Sequence, residues 1–271
     1  MEKAAILGVY GFIGYGLCQT LLETGLEIEG IDLAYRENHY KEQKRLEIGR
    51  NANFCEEDFQ EWEVAESIDI LFISLYEKIF SEGQYMDEWM AKLASIKGDG
   101  LQVVLILPAA LAVKGESAPG IQQKIANFFS RKKAGLLEFY LPTVYGPWQP
   151  EEFLFQQSLN YIENGSELPL LTGREWIHDA LYIDDAVQLI LKTAEKEHEG
   201  QFMLSSGEEN QWLDCASSLL GPQLDKIIGN PRTSPEIKEG IHIVTVDRNE
   251  SIKAGILKQK QRFCRIQESS V

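Results

Sequence analysis

Gly8-Val9-Tyr10-Gly11-Phe12-Ile13-Gly14 lies between a short apolar run, Ala4–Leu7, and a stretch in which Leu17, Leu21 and Leu22 share one helical face. A strand, a glycine turn and a helix in that order have a physical use. Glycines let the backbone turn tightly and approach a pyrophosphate, while the helix start supplies N–H donors and the positive end of its dipole. Downstream, Glu27–Leu33 reads as a second strand that carries Asp32 near its end. A carboxylate there would accept hydrogen bonds from the hydroxyls of an adenosine ribose and repel a 2′-phosphate, which favours NAD over NADP. Arg36, close by, works in the opposite sense.

The pattern continues outward. Ile68–Leu75 and Gln102–Leu107 are near-continuous apolar runs, as expected of parallel strands buried on both faces, and Leu136–Leu141 reads as another strand. Between them lie helical stripes, Met86/Trp89/Met90/Leu93 and Ile121/Ile125/Phe128/Phe129, the second opened by Ser117 and Pro119. Gly25 stands where the first helix needs a C-terminal glycine. This alternation predicts an α/β fold with a doubly wound parallel sheet. After residue 146 the pattern loosens. Glu151–Asn164 and Asp184–Glu197 read as helices, and Phe202–Leu204 and His242–Val246 as short strands, which predicts a small second lobe.

The chain has 271 residues and a net charge of −16. That balance argues against nucleic acid or an anionic membrane surface as partner, because affinity there comes from Lys and Arg neutralising phosphates. A small anionic ligand held by a few local donors stays compatible with it. Cys18, Cys55, Cys215 and Cys264 are far apart, as are His39, His178, His198 and His242, so the spacing gives neither a disulfide framework nor a metal site. The glycines interrupt the apolar N-terminus, which reads as strand, turn and helix rather than a signal peptide, and residues 101–113 are too short to span a bilayer. The expectation is a soluble, cytoplasmic protein.

Taken with Val144-Tyr145-Gly146-Pro147 and the Asp179-to-Asp185 stretch, the glycine motif resembles the extended short-chain dehydrogenase/reductases. This is the NAD-dependent epimerase/dehydratase family, which mostly handles nucleotide sugars. The run from Asp247 to Ala254 is similar to the family's last helix, so the resemblance covers most of the chain. It implies a Rossmann domain over residues 1–147, joined by 176–205, with a smaller substrate-binding lobe from 148–175 and 206–271. It implies NAD as cofactor, held by Gly8, Gly11, Phe12, Ile13, Gly14, Asp32, Asp58, Ser74, Lys124, Pro142 and Val144. It also implies a small-molecule substrate such as a nucleotide sugar, met by Thr143, His178 and Arg248, and often a homodimer.

The family's acid–base machinery is a strand-end Ser/Thr and a Tyr four residues before a Lys, a spacing that puts both on one helical face. Lys124 fits the Lys, but Gly120 stands in place of the Tyr, and Leu107-Pro108-Ala109-Ala110 offers no hydroxyl. Tyr40 and Lys44 have the formal spacing but follow the second strand, on the adenosine side. Tyr145, with Lys124, is the remaining catalytic candidate, ahead of His178 and of Glu116 and Ser117 near the start of the Lys124 helix. The family's arginines before Asp179 and before the Val144 turn are here His178 and Tyr140, and its Ala-Ala pair after the fourth strand is Ser74-Leu75. Losing arginines removes bidentate phosphate grips, for which Arg174 and Arg248 are the substitutes. Two readings follow. One is an oxidoreductase or isomerase with a rearranged active site. The other is a catalytically inactive NAD(H)-binding sensor or partner protein. A scaffold with a vestigial cofactor site is disfavoured by the retained glycines and Lys124.

Overall fold

The structure, a computed structural model, describes residues 2–32, 40–63, 67–77, 92–93, 100–115, 120–131, 134–173, 175–228, 234–247 and 250–269. Arg36, Glu116, Ser117, Arg174, Arg248 and most of the Met86-to-Leu93 stripe lie outside these residues. In chain order the first elements are β1 (Lys3–Leu7), α1 (Phe12–Glu23), β2 (Glu27–Asp32), α2 (Lys41–Ile48), β3 (Phe54–Asp58), β4 (Ile70–Ser74) and β5 (Gln102–Pro108). A 3-10 turn (Ala109–Ala112) leads on to α3 (Gly120–Arg131), β6 (Gly135–Leu141) and β7 (Thr143–Tyr145). The rest comprises α4 (Leu154–Asn164), β8 (Ala180–Tyr182), α5 (Ile183–Ala194), β9 (Gly200–Ser205), α6 (Gln211–Leu220), α7 (Asp225–Ile228), β10 (Ile241–Thr245) and α8 (Ile252–Ser269).

Among the described residues, eight strands form one sheet in the order β3-β2-β1-β4-β5-β6-β9-β10, and β7 pairs with β8 in a separate two-stranded sheet. The pairs β1–β2, β2–β3, β1–β4 and β4–β5 are all parallel. The chain steps outward from β1 to β3, then returns to the other side of β1 as β4. That reversal makes the crevice beyond β1 and β4 the topological switch point, where open α/β sheets take their ligands. The glycine turn leaves β1 at this place. The doubly wound parallel sheet expected from the apolar runs is therefore present.

The chain divides into two compact units, one of Met1–Leu107, Glu116–Phe139 and Ile190–Phe202, the other of Pro108–Gly115, Tyr140–Leu189 and Met203–Val271. In the first, Ala5, Leu7, Leu71, Ile73, Val103 and Leu105 form one buried face of the sheet with Ile125, Phe129 and Leu93 packed in the same cluster. Their alternates Ala4, Ile6, Phe72, Val104 and Ile106 are buried as well. Both faces are covered, so these strands read as unbroken apolar runs instead of alternating ones. In the second unit, Tyr145 of β7, Tyr182 of β8 and Phe155 of α4 pack edge to face. Gly255 of α8 fits against both tyrosines, where a β-carbon would come within 3.0 Å of each ring.

Some boundaries differ from the sequence pattern. The helix expected from Glu151 begins at Leu154, because residues 150–153 turn, with the Phe153 N–H bonded to the Pro150 carbonyl at 3.1 Å. α2 and β3 carry no apolar stripe: only Lys44 and Ile48 of α2 are buried. No described helix is long and apolar enough to cross a membrane.

Candidate functional site

The glycine turn is built within the first unit. Gly8, at φ +81°, reverses the chain, and its N–H bonds the Ile31 carbonyl of β2 at 2.9 Å. The Gly11 N–H returns to the Gly8 carbonyl at 2.9 Å, and Gly11 in extended conformation becomes the N-cap of α1. α1 has no side-chain cap from that residue and no acid in its first turn. A helix start leaves its first N–H groups without intrahelical partners. Here the Glu77 carboxylate, three residues beyond β4, takes two of them. Its Oε1 accepts the N–H of Phe12 and, at 3.0 Å, that of Ile13. The motif thus presents two backbone donors converging on one anionic oxygen.

Beneath the turn lies Lys44 of α2, 2% exposed, donating to the Tyr10 carbonyl at 2.8 Å and the Gly11 carbonyl at 3.4 Å. Burial pulls its ammonium down to about 8, while the carboxylates of Glu77 and Glu47 act in the opposite direction. At the end of β2, Asp32 is ion-paired with Lys41, whose ammonium also stands 5.7 Å from the Tyr10 ring centroid. Asp58, level with Asp32 in the β2–β3 register, is exposed and accepts the Gln60 N–H at 2.8 Å. Ser74 ends β4 at 2% exposure, and its hydroxyl has no hydrogen-bond partner among the described residues. Lys124 lies exposed on α3, one turn after Gly120.

The remaining sequence candidates lie in the second unit. Thr143 is 1% exposed. Its hydroxyl donates to Glu175 at 3.0 Å and accepts the Trp176 N–H at 3.0 Å. Glu175 also accepts the Leu154 N–H at 2.5 Å and the Trp212 indole N–H at 3.2 Å, and burial raises its carboxyl above the ordinary range. This knot joins β7, α4 and α6, so Thr143 is engaged in structure. Tyr145 is 1% exposed inside its aromatic cluster. A group that moves protons must reach the substrate within hydrogen-bond distance. Pro142 and Val144 are buried beside it, and the Val144 carbonyl accepts from the Gln149 amide at 2.8 Å. His178, half-buried, stands edge-on to Trp176 with ring centroids 5.1 Å apart. Asp179, within the family-like stretch, is bound by the Ser206 N–H and by the hydroxyls of Ser205 and Ser206, an anchoring role.

Sequence reading singled out the glycines and Asp32, and Lys44 only as the Lys of a formal Tyr–Lys spacing; it did not single out Glu77, Lys41 or Glu175. A lone acid just past a strand and a lysine on a polar helix carry no periodic signal. Only the sheet order brings them to the turn.

No family model and no curated protein matches the sequence. Solved structures do match over nearly the whole chain. UDP-glucuronic acid 4-epimerase from Bacillus cereus, in complex with NAD, superposes with a TM-score of 0.70 at 18% identity, covering 98% of this chain and 99% of that one. The same enzyme with UDP-glucuronic acid and NAD gives 0.68 at 18% identity, covering 98% and 100%. dTDP-glucose 4,6-dehydratase from Bacillus anthracis, with NAD, gives 0.67 at 15% identity over 99% of this chain and 98% of that one. At these identities the likeness shows a shared fold.

Proposed function

We propose that the chain binds NAD(H) at the glycine turn, as a protein of the nucleotide-sugar epimerase/dehydratase type whose ordinary acid–base pair is missing. The observation that carries this reading is the pair of N–H groups at Phe12 and Ile13, already held on an anionic oxygen. The residues fit the cofactor in two further respects. The buried Ser74 hydroxyl at the end of β4 lacks a partner among the described residues, and Asp32 stands at the end of β2 for the adenosine ribose. Gly8, Gly11 and Gly14 shape the approach, Asp58 and Ser74 border it, and Lys124 serves the nicotinamide ribose. When bound, NAD would supply the hydride acceptor. The similar epimerases and dehydratases, solved with NAD and in one case with UDP-glucuronic acid, support a nucleotide sugar or related small molecule as the second ligand. A homodimer is part of the same reading.

Between the active and inactive readings, the side chains favour the second. Gly120 offers no phenol one turn before Lys124, Ala109 offers no hydroxyl, and Tyr145 is buried among aromatic rings. General acid–base groups contribute roughly 10²–10⁴-fold, so hydride chemistry on nucleotide sugars should be slow or undetectable. On the substrate side His178 is the first residue to test, because Thr143 is committed to Glu175. Titration calorimetry of the purified chain with NADH and NADPH tests the proposal. The expected result is saturable binding with NADH the tighter; no binding of either would refute it.

A further inference from the structure

We propose that Glu77 is an internal competitor for the anion site of the glycine turn: its carboxylate holds the N–H groups that a dinucleotide's pyrophosphate would take, so the cofactor must displace it. The inference rests on the cofactor reading above.

Three features bear on Glu77. The first is hydrogen bonding. One carboxylate oxygen accepts from both Phe12 and Ile13, the donors at the positive end of the α1 dipole. A carboxylate and a phosphate are equivalent acceptors there, and two anions cannot share the same two N–H groups.

The second is space. An ideal β-carbon on Gly11 would lie 3.0 Å from Oε2 and 3.2 Å from Oε1 of Glu77. The carboxylate therefore fills the volume that a glycine at this position leaves bare for close approach of a ligand. The third is charge. Lys44, buried behind the turn, is favoured in its charged form by Glu77. A phosphate arriving at the N–H groups would provide the same compensation, so exchanging one anion for the other leaves no lysine buried against an empty site.

Glu77 is delivered to the turn by covalent connection. β4 pairs with β1 so that Ile73 lies opposite Leu7, and the carboxylate follows four residues later. An attached ligand acts at a high effective concentration without being consumed. It lowers the apparent affinity of a free ligand by the fraction of molecules in which it is displaced. The cofactor-free chain is thereby stabilised with a capped helix, and the cofactor is bound more weakly than the turn alone would allow.

The test is NADH titration calorimetry on wild type, Glu77→Ala and Glu77→Gln, with the melting temperature of each cofactor-free protein. Glu77→Ala should bind NADH about tenfold more tightly than wild type while its cofactor-free form melts lower, because α1 loses its anionic cap. Glu77→Gln, which keeps size and one acceptor but no charge, should fall between, and it carries the test alone if Glu77→Ala does not fold. Equal or weaker NADH binding by the variants, with wild type still binding, would overturn the competitor role and leave the cofactor reading standing. Absence of NADH binding in all three would overturn both.

Discussion

A β-carbon at Gly14 would run into the backbone carbonyl of Gly8, whereas one at Gly11 would meet that carbonyl only at 3.0 Å and otherwise the Glu77 carboxylate. The two glycines are indistinguishable in the sequence, yet Gly14 packs on the Gly8 carbonyl, whereas Gly11 also faces the Glu77 carboxylate, where the proposed cofactor would approach. Gly14→Ala should therefore lower stability by about 1–3 kcal/mol in chemical denaturation, as overpacking does. Gly11→Ala should cost less stability and show its main effect in NADH affinity. Equal stability losses at the two positions would contradict this division. Asp32 at the end of β2 was legible as a candidate for the ribose, but its ion-pair partner was not: Lys41 lies nine positions on, at the start of a helix with no apolar stripe. A cation paired with Asp32 softens the repulsion of a 2′-phosphate. Lys41→Ala should weaken NADPH about tenfold relative to NADH, the loss of one charge-assisted contact. An unchanged NADH-to-NADPH affinity ratio would remove Lys41 from the ribose end.

The central strands were legible because burial on both faces writes them as apolar runs, and α1 because its leucines repeat at helical spacing. β3 was not, since its Phe-Cys-Glu-Glu-Asp has no fully buried residue. It is an edge strand, held by backbone pairing to β2 instead of by an apolar face. α2 is set by what Lys44 reaches, and that gives it a pH signature. Burial lowers the Lys44 pKa from 10.5 to about 8 on folding. Between these values the unfolded chain binds more protons than the folded one, so the Lys44 contribution to stability rises as pH climbs through that window and is flat below it. The stability of wild type minus that of Lys44→Met, measured by denaturation from pH 7 to 11, should increase between about 8 and 10.5. A difference that stays constant would mean that the ammonium is not buried. In the second unit the Glu175 knot, also unread in the sequence, joins three elements through one carboxylate. Glu175→Ala strands the Leu154 and Trp212 donors, while the Thr143 hydroxyl keeps the Trp176 carbonyl at 3.3 Å, and should cost about 2 kcal/mol or more, at 1–3 kcal/mol for each unmet buried group. A loss under 1 kcal/mol in urea denaturation would show that water replaces the carboxylate.

At the scale of the whole molecule, the fold class was readable from the order of apolar runs, glycine turn and helical stripes, because a doubly wound sheet imposes that order. The same fold is found in solved enzymes only 15–18% identical to this chain. A sheet topology tolerates wide substitution as long as burial is kept, whereas a proton donor is lost with one side chain. On the function proposed above, that is how Gly120 and Ala109 would stand where the resembling family has its Tyr and Ser/Thr without disturbing the sheet. The central claim, a dinucleotide held by the glycine turn, is tested most directly by a crystal structure of the chain grown with NADH. The account predicts pyrophosphate oxygens within hydrogen-bond distance of the Phe12 and Ile13 N–H groups, with the Glu77 carboxylate turned away from them. A dinucleotide bound elsewhere, or those two N–H groups still closed on Glu77 at saturating NADH, would contradict it.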